Sequence, residues 1–260
     1  MRGLQAIRAA FPAAQVITHP HSRQMIVTTR ERWLKRRVIM VGNIRSALGA
    51  ALAKDQDLSG RPLIPAERAW LEKGLTITDQ LDSENQRTDY VIPNVTFAEN
   101  MTLFLGGREI RLLHPGNAHT AGDLMVWLPH ERILATGDIV TAPIPLMPSP
   151  YTRDYVGVLA SIKSLDFSTL LPGHGSVQKD AQYLDLLSDT FATANEQMKA
   201  YVAQGISQDE ATKKIDFSKV EPRFTHGDAF LANRFADYVA DALPDAAYAV
   251  ANGKVPEEKF

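Results

Sequence analysis

At 260 residues, 45% of them apolar and 22% charged, with a formal net charge of -2, the chain has ordinary soluble globular composition and room for one large domain with a substantial core. It contains no cysteine, which excludes disulfides, thiolate ligands and a cysteine nucleophile. Its notable basic run, "LKRR" at Leu34 to Arg37, is too short for a nucleic-acid surface, and no apolar stretch approaches the roughly 18 residues of a membrane span.

In chain order, Leu4, Ile7 and Phe11 stand at helical spacing and predict an N-terminal helix over residues 2–11, stopped by Pro12. This opening, "MRGLQAIRAAFP", lacks the apolar core of a signal peptide. "AQVITH" then predicts a short buried strand. From Ser22 to about Asp89 the chain turns helical and polar, with Trp33, Leu34, Ile44, Leu48, Trp70 and Leu71 scattered among charges, and is expected to form a helical insertion over about 22–93. After "IPNVTF", the runs "MTLFLGG", "REIRLLHPG", "DLMVWLP" and "RILATGDIV" are separated by turn residues and predict consecutive strands of one sheet. "DYVGVLASIKSL" predicts a helix, "STLLPGHG" a buried strand ending in a glycine loop, and the remainder a helical C-terminal region over about 179–260. Strands flanked by helices argue for a layered α/β fold in a single domain.

Polar chemistry gathers at the ends of these predicted strands. His119 lies in "GNAHTAGD", Asp138 in "LATGDIV" and His174 in "LLPGHGS", each after an apolar run and flanked by glycine within three residues. Such side chains sit at the rim of a sheet, where loops on a rigid scaffold carry function. A lone histidine near a strand end is more often packed than ligating; the set of three is the informative feature. No Gly-x-Ser-x-Gly elbow and no Walker-type loop occurs, which removes the common serine-hydrolase and phosphate-loop signatures.

The phrases "HTAGD", "TGD" and "PGHG", with their His, Asp and His at intervals of 19 and 36 residues, resemble the later metal motifs of the metallo-β-lactamase fold superfamily. The resemblance implies an αββα sandwich with a metal site at one edge, commonly two zinc ions. His119 would bind the first metal, Asp138 would bridge both and be the catalytic carboxylate, and His174 would bind the second. Imidazole and carboxylate suit zinc, though also iron or manganese, and two cations sharing a water make it a nucleophile near neutral pH. Thr120 and Asp123 would orient His119 or its loop, or equally form a polar turn. Aspartate at 138 is the pattern of the glyoxalase-II-like branch rather than of β-lactamases, so the implied reaction is hydrolysis of an ester, thioester or related carbonyl.

The superfamily also carries an earlier motif, His-x-His-x-Asp-His. "HPHSRQ" offers His19 and His21 but places Arg23 at the aspartate and Gln24 at the last histidine, and a guanidinium cannot ligate a metal. The registration favoured here makes "AQVITHPHSR" the strand that follows the metal loop, with His19 and His21 packed or capping at its end. The fold is then incomplete at the N-terminus, and the chain is expected to bind metal weakly and turn over poorly. The expected partner is a small-molecule substrate, without nucleic acid or membrane. The helical insertion serves as a lid, a homodimer contact or solvated decoration, and the proline-rich stretch Thr141 to Thr152 as a substrate-facing wall. The rival class is a non-catalytic binding protein whose metal edge has decayed. Compartment is left open: soluble, cytoplasmic as the chain stands, periplasmic if a signal precedes it.

Overall fold

A computed structural model describes residues 4–85, 90–147, 149 and 151–254. Residues 1–3, 86–89 and 255–260, which belong to the expected N-terminal helix, helical insertion and C-terminal region, lie outside the described residues, as do two positions of the proline-rich stretch and the side chain of Trp33. The chain divides into two compact units, Met1–Thr96 and Phe97–Phe260.

The first unit holds α1 (Leu4–Ala10), β1 (Ile17–Thr18), α2 (Pro20–Ala53), α3 (Pro65–Asn85) and β2 (Val95–Thr96). The N-terminal helix and the insertion are therefore helical as expected, and β1 is shorter than its apolar run, pairing in parallel with β2. His19 starts α2. Its backbone is extended, at φ -70° and ψ 145°, and its ring Nδ1 accepts the His21 N–H at 3.2 Å, with Pro20 in the first helical turn, where its missing N–H costs nothing. Helices α2 and α3 meet around buried Leu48, Ala51 and Leu71. Gly74 permits the approach, since a Cβ there would lie 3.1 Å from Leu48 Cδ1. Between the two helices, buried Asp57 ties down the turn: its carboxylate accepts from the Ser59 and Arg61 N–H groups at 2.9 Å and from Arg61 Nε at 2.5 Å. The apolar residues of α2 are spread around the helix rather than gathered in one stripe, so Val27, Ile39, Met40 and Ile44 remain exposed.

The second unit is built on a five-stranded mixed sheet in the order β3 (Asn100–Leu105), β4 (Arg108–Leu113), β5 (Met125–Leu128), β6 (Ile133–Thr141), β7 (Thr169–His174). The first three pairings are antiparallel, and β7 joins β6 in parallel after the crossover helix α4 (Thr152–Lys163). Gly106 and Gly107, both at positive φ, make the tight β3–β4 turn, because a two-residue hairpin with the favoured twist needs that conformation. A parallel partner requires a crossover, and the predicted helix after Thr152 supplies it. Along α5 (Gln182–Ala203), Leu184, Leu187, Phe191, Ala194 and Met198 recur at intervals of three and four, and all are buried. They pack in one core with Met125, Trp127, Leu134 and Leu170 of the sheet and Tyr155, Val158, Leu159 and Ile162 of α4. Tyr155 stacks on Phe191 with ring centroids 4.2 Å apart.

The C-terminal region is helical as expected: α6 (Gln208–Lys214), α7 (Glu221–Thr225), α8 (Ala229–Phe235), a π-helical turn at Ala236–Ala240 and α9 (Leu243–Ala251). These add Phe217, Phe224, Phe235, Val239 and Leu243 to the same core. Among the described residues, no helix is long and apolar enough to cross a membrane.

Candidate metal centre

The three expected ligands all belong to the second unit, and the structure brings two of them, Asp138 and His174, together. His174 is the last residue of β7, as its glycine-flanked position suggests. Asp138 does not end its strand: β6 continues to Thr141, and the register of its pairing with β7 slips on either side of Gly137. Gly137, at φ 54°, forms that irregularity, and a bulge re-aims the side chain that follows it. The expectation that the aspartate would terminate a strand is thus corrected, because a bulge in mid-strand delivers it to the rim. His119 likewise follows β4 only after five intervening residues, in the loop to β5.

Asp138 and His174 face each other, with Oδ1 and Nε2 3.5 Å apart and side chains 49% and 70% exposed. That separation lies at the outer limit of a hydrogen bond, so the lone pairs of both groups remain available to a cation. Gly173 makes the approach possible. A Cβ on it would stand 2.2 Å from Asp138 Oδ1 and 2.8 Å from the Asp138 backbone nitrogen, distances no real side chain tolerates. Gly175 is required as well, at φ 91° with Ala142 O 2.2 Å from where a Cβ would be.

The His119 loop is braced from within. Thr120 donates its backbone N–H to Asp123 Oδ2 at 2.8 Å and its hydroxyl to Oδ1 at 2.6 Å, while the Asp123 carbonyl lies 2.9 Å from His114 Nδ1. Burial raises the Asp123 carboxyl above its ordinary value, and the Thr120 hydrogen bonds and the nearby His119 oppose that rise without cancelling it. Ser149 Oγ donates to the Ala118 carbonyl, fixing the loop from the other side. Thr120 and Asp123 therefore act on the loop that carries His119. The His119 Nδ1 atom is buried and has no hydrogen-bond partner among the described residues. A buried, unpaired ring nitrogen costs free energy unless something binds it.

Tyr155 was not singled out in the sequence, where it lies within the predicted helix "DYVGVLASIKSL" and carries no motif. Its hydroxyl donates to the Ile139 carbonyl at 2.9 Å. Burial raises its pKa well above the ordinary phenol value, and the charges of Asp123 and Asp138 push in the same direction, so both carboxylates lie within electrostatic reach of one phenol. Tyr183 of α5 donates to the carbonyls of Thr141 (2.8 Å) or Pro143 (3.1 Å), and burial raises its pKa also. The expected wall from Thr141 onward is partly core: Ile144 and Met147 are buried, and the Thr141 hydroxyl accepts the Leu146 N–H at 2.9 Å.

The donors fit zinc in type, as two imidazoles and a carboxylate, and the unpaired His119 nitrogen fits a ligand atom. They fall short in number at any one point, since among the described residues no three His, Asp or Glu side chains converge closely enough to hold an ion. His19 and His21 lie in the first unit, where His19 caps α2.

Compared with known families, residues 1–174 match the model of the metallo-β-lactamase superfamily. The chain belongs to that superfamily. The match ends at His174 and covers the region that carries all three expected ligands. Among curated members, the linear primary-alkylsulfatase of Pseudomonas sp. (strain ATCC 19151) is 22% identical over 140 residues, which cover 48% of this chain and 26% of the alkylsulfatase. The chain thus spans about a quarter of the length of that relative. Among solved structures, a double mutant of the sec-alkyl sulfatase PisA1 superposes with a TM-score of 0.51 at 16% identity, over 63% of this chain and 27% of that one. A metallo-β-lactamase family protein from Thermus thermophilus covers 92% of this chain and 67% of its own at 17% identity and a TM-score of 0.44. The α/β fold with a mixed sheet and a helical C-terminal region is that of the metallo-β-lactamase superfamily, which includes hydrolases such as the two alkylsulfatases.

Proposed function

We propose that the chain carries the metal edge of a metal-dependent hydrolase of small ester substrates, with Asp138 and His174 as its paired donors and His119 as the third. The observation that carries this reading is the 3.5 Å approach of Asp138 and His174 across β6 and β7, kept open by the absence of a side chain at Gly173. Zinc, commonly as two ions in this superfamily, would supply a Lewis acid that makes water nucleophilic near neutral pH and neutralises charge developing on the substrate oxygen. The chain's own residues orient that chemistry. Asp138 presents a half-exposed carboxylate from the bulge, His174 an exposed imidazole from a strand end, and the Thr120–Asp123 brace holds the His119 loop. Among the described residues no more than two donors converge, so we propose weak metal binding and slow turnover.

An aspartate at 138 supports the glyoxalase-II-like pattern and hence a carboxylic ester or thioester; the likeness to alkylsulfatases supports a sulfate ester. One assay separates them: hydrolysis of p-nitrophenyl butyrate, a butyryl thioester and p-nitrophenyl sulfate with added zinc, each repeated with Asp138→Ala. Slow, zinc-dependent hydrolysis of at least one compound, abolished by the substitution, is expected. Hydrolysis of none of them, at any zinc concentration, would leave the second reading, a non-catalytic protein of this fold. The lack of three converging donors among the described residues favours that second reading.

A further inference from the structure

A cavity of about 320 Å³ opens in the second unit where β6 and β7 end, lined by Gly175, the residue after His174. Its floor is Ala142, Pro143 and Gly175, the residues just beyond β6 and β7, and the floor is stitched together by the Ala142 N–H donating to the His174 carbonyl at 3.0 Å. One wall comes from C-terminal helices beyond the family match, which ends at residue 174. The volume stands at the small end of the roughly 300–1,000 Å³ of small-molecule sites.

The chemistry of the lining has a sign. No aspartate or glutamate lines the cavity, while Arg223 of α7 and the exposed His226 do. His226 ends α7 in the left-handed conformation, at φ 48°, and Gly227 follows at φ 79°. Arg223 is paired with Asp189 of α5 at 2.5 Å, but both side chains are about half exposed, and such surface pairs hold weakly enough for an incoming anion to compete. Leu186, Phe224 and Leu231 supply apolar surface to the same lining. Tyr183 is a brace rather than a ligand-binding donor, because its hydroxyl is engaged by the Thr141 and Pro143 carbonyls and its ring packs edge-on against Phe224.

We infer that this cavity is the substrate pocket of the proposed hydrolase and selects a small anionic amphiphile, an alkyl sulfate or an ester that also carries a free carboxylate on a short apolar chain, with the guanidinium of Arg223 on the anion and Leu186, Phe224 and Leu231 on the chain. The inference rests on the hydrolase reading only for the word substrate; the binding stands by itself. A planar guanidinium with two parallel N–H groups matches either anion.

The test is binding to the metal-free chain, followed by calorimetry or ligand-detected NMR, with butyl sulfate, butyrate and butanol as probes. Both anions bind and butanol does not. Arg223→Gln weakens the anions by about tenfold, the loss of one charge-assisted contact. Asp189→Asn, which removes the competing carboxylate and keeps Arg223, tightens them, and Leu231→Trp, which fills the apolar end, abolishes binding; circular dichroism confirms that each variant is folded. Preference for butyl sulfate over butyrate, or the reverse, identifies which anion the pocket takes. Equal binding of butanol, or anion binding unchanged by both Arg223→Gln and Asp189→Asn, overturns the inference. Anion binding by a chain that hydrolyses no ester sinks the hydrolase reading alone, while zinc-dependent hydrolysis with a KM unchanged by Arg223→Gln sinks the pocket alone.

Discussion

The two units contain similar kinds of residue and use them differently. In the second, apolar side chains on α4 and α5 recur on one face and meet a sheet, so Phe191, Leu159 and Leu170 are fully buried. In the first, two long helices meet over a small patch around Leu48, Ala51 and Leu71, and several large apolar residues of α2 stay exposed. The difference shows where stability and precision reside. A donor pair that must be held to a fraction of an ångström sits on the packed sheet, whereas the helical pair depends on local devices, namely the His19 cap and the Asp57 turn. Burying a stripe stabilises a helix through its neighbours; a helix without one depends more on caps and short-range pairs.

This contrast can be broken at four places, taken in order of expected effect. Phe191→Ala, at the centre of the second unit, is expected to cost about 3–5 kcal/mol, the usual loss for an aromatic truncated in a packed core. A chemical denaturation curve that moves by less than about 1 kcal/mol would mean that this core is no tighter than the first unit's patch.

Asp57→Asn tests the first unit's local devices. Burial raises the Asp57 carboxyl, but the Arg61 side chain and the backbone N–H groups of Arg61 and Ser59 outweigh it and hold the pKa below its ordinary 3.8. A depressed carboxylate stabilises the fold above its unfolded pKa and loses that contribution as pH falls through the folded one. The variant should therefore be less stable by about 1.5–3 kcal/mol at neutral pH, as for hydrogen bonds to a charged group. The gap to the parent should close below pH 3.8; a gap that is constant with pH would remove the charge from the explanation.

Tyr155→Phe probes the second unit under the metal edge. Removing a buried hydrogen bond to the Ile139 carbonyl should cost about 1–2 kcal/mol near neutrality. Because the folded pKa is raised, the phenol's contribution is complete below the ordinary value of 10.0 and is lost as pH climbs above it. The difference between parent and variant should shrink above that pH in alkaline melts, and a widening difference would reverse the sign of the argument. Ile39→Gln, at an exposed site on α2, should change stability by no more than about 0.5 kcal/mol. A larger loss would reveal that α2 is covered.

Much of the architecture was legible because it rests on local rules. The glycine pair after Leu105, the apolar runs from Met101 to Val140 and the helix after Thr152 each announce an element, and the polar stretch from Ser22 is helical over most of its described residues up to Asn85, as its few strand signals suggested. The site was legible as three residues, two histidines and an aspartate, in glycine-containing phrases, but its geometry was not. That Asp138 emerges from a bulge depends on the pairing of Gly137 with Pro172 of β7, far along the chain, and the need for glycine at 173 arises only when Asp138 is against it. Arg223 and Tyr183 carried no motif, since their meeting with Pro143 and Gly175 is created by the fold. His19 was legible as a strand-end histidine; the neighbouring Pro20 and the helix beyond it were the signals for a cap.

The central claim is that the metal edge lies at the β6–β7 rim and not at the two N-terminal histidines. Zinc titration in competition with a chromophoric chelator, on the parent and on Asp138→Ala, His174→Ala and His19→Ala, tests it directly. The account predicts weak binding that is lost with either rim substitution and kept with His19→Ala. Tight, stoichiometric binding that survives Asp138→Ala and vanishes with His19→Ala would contradict it.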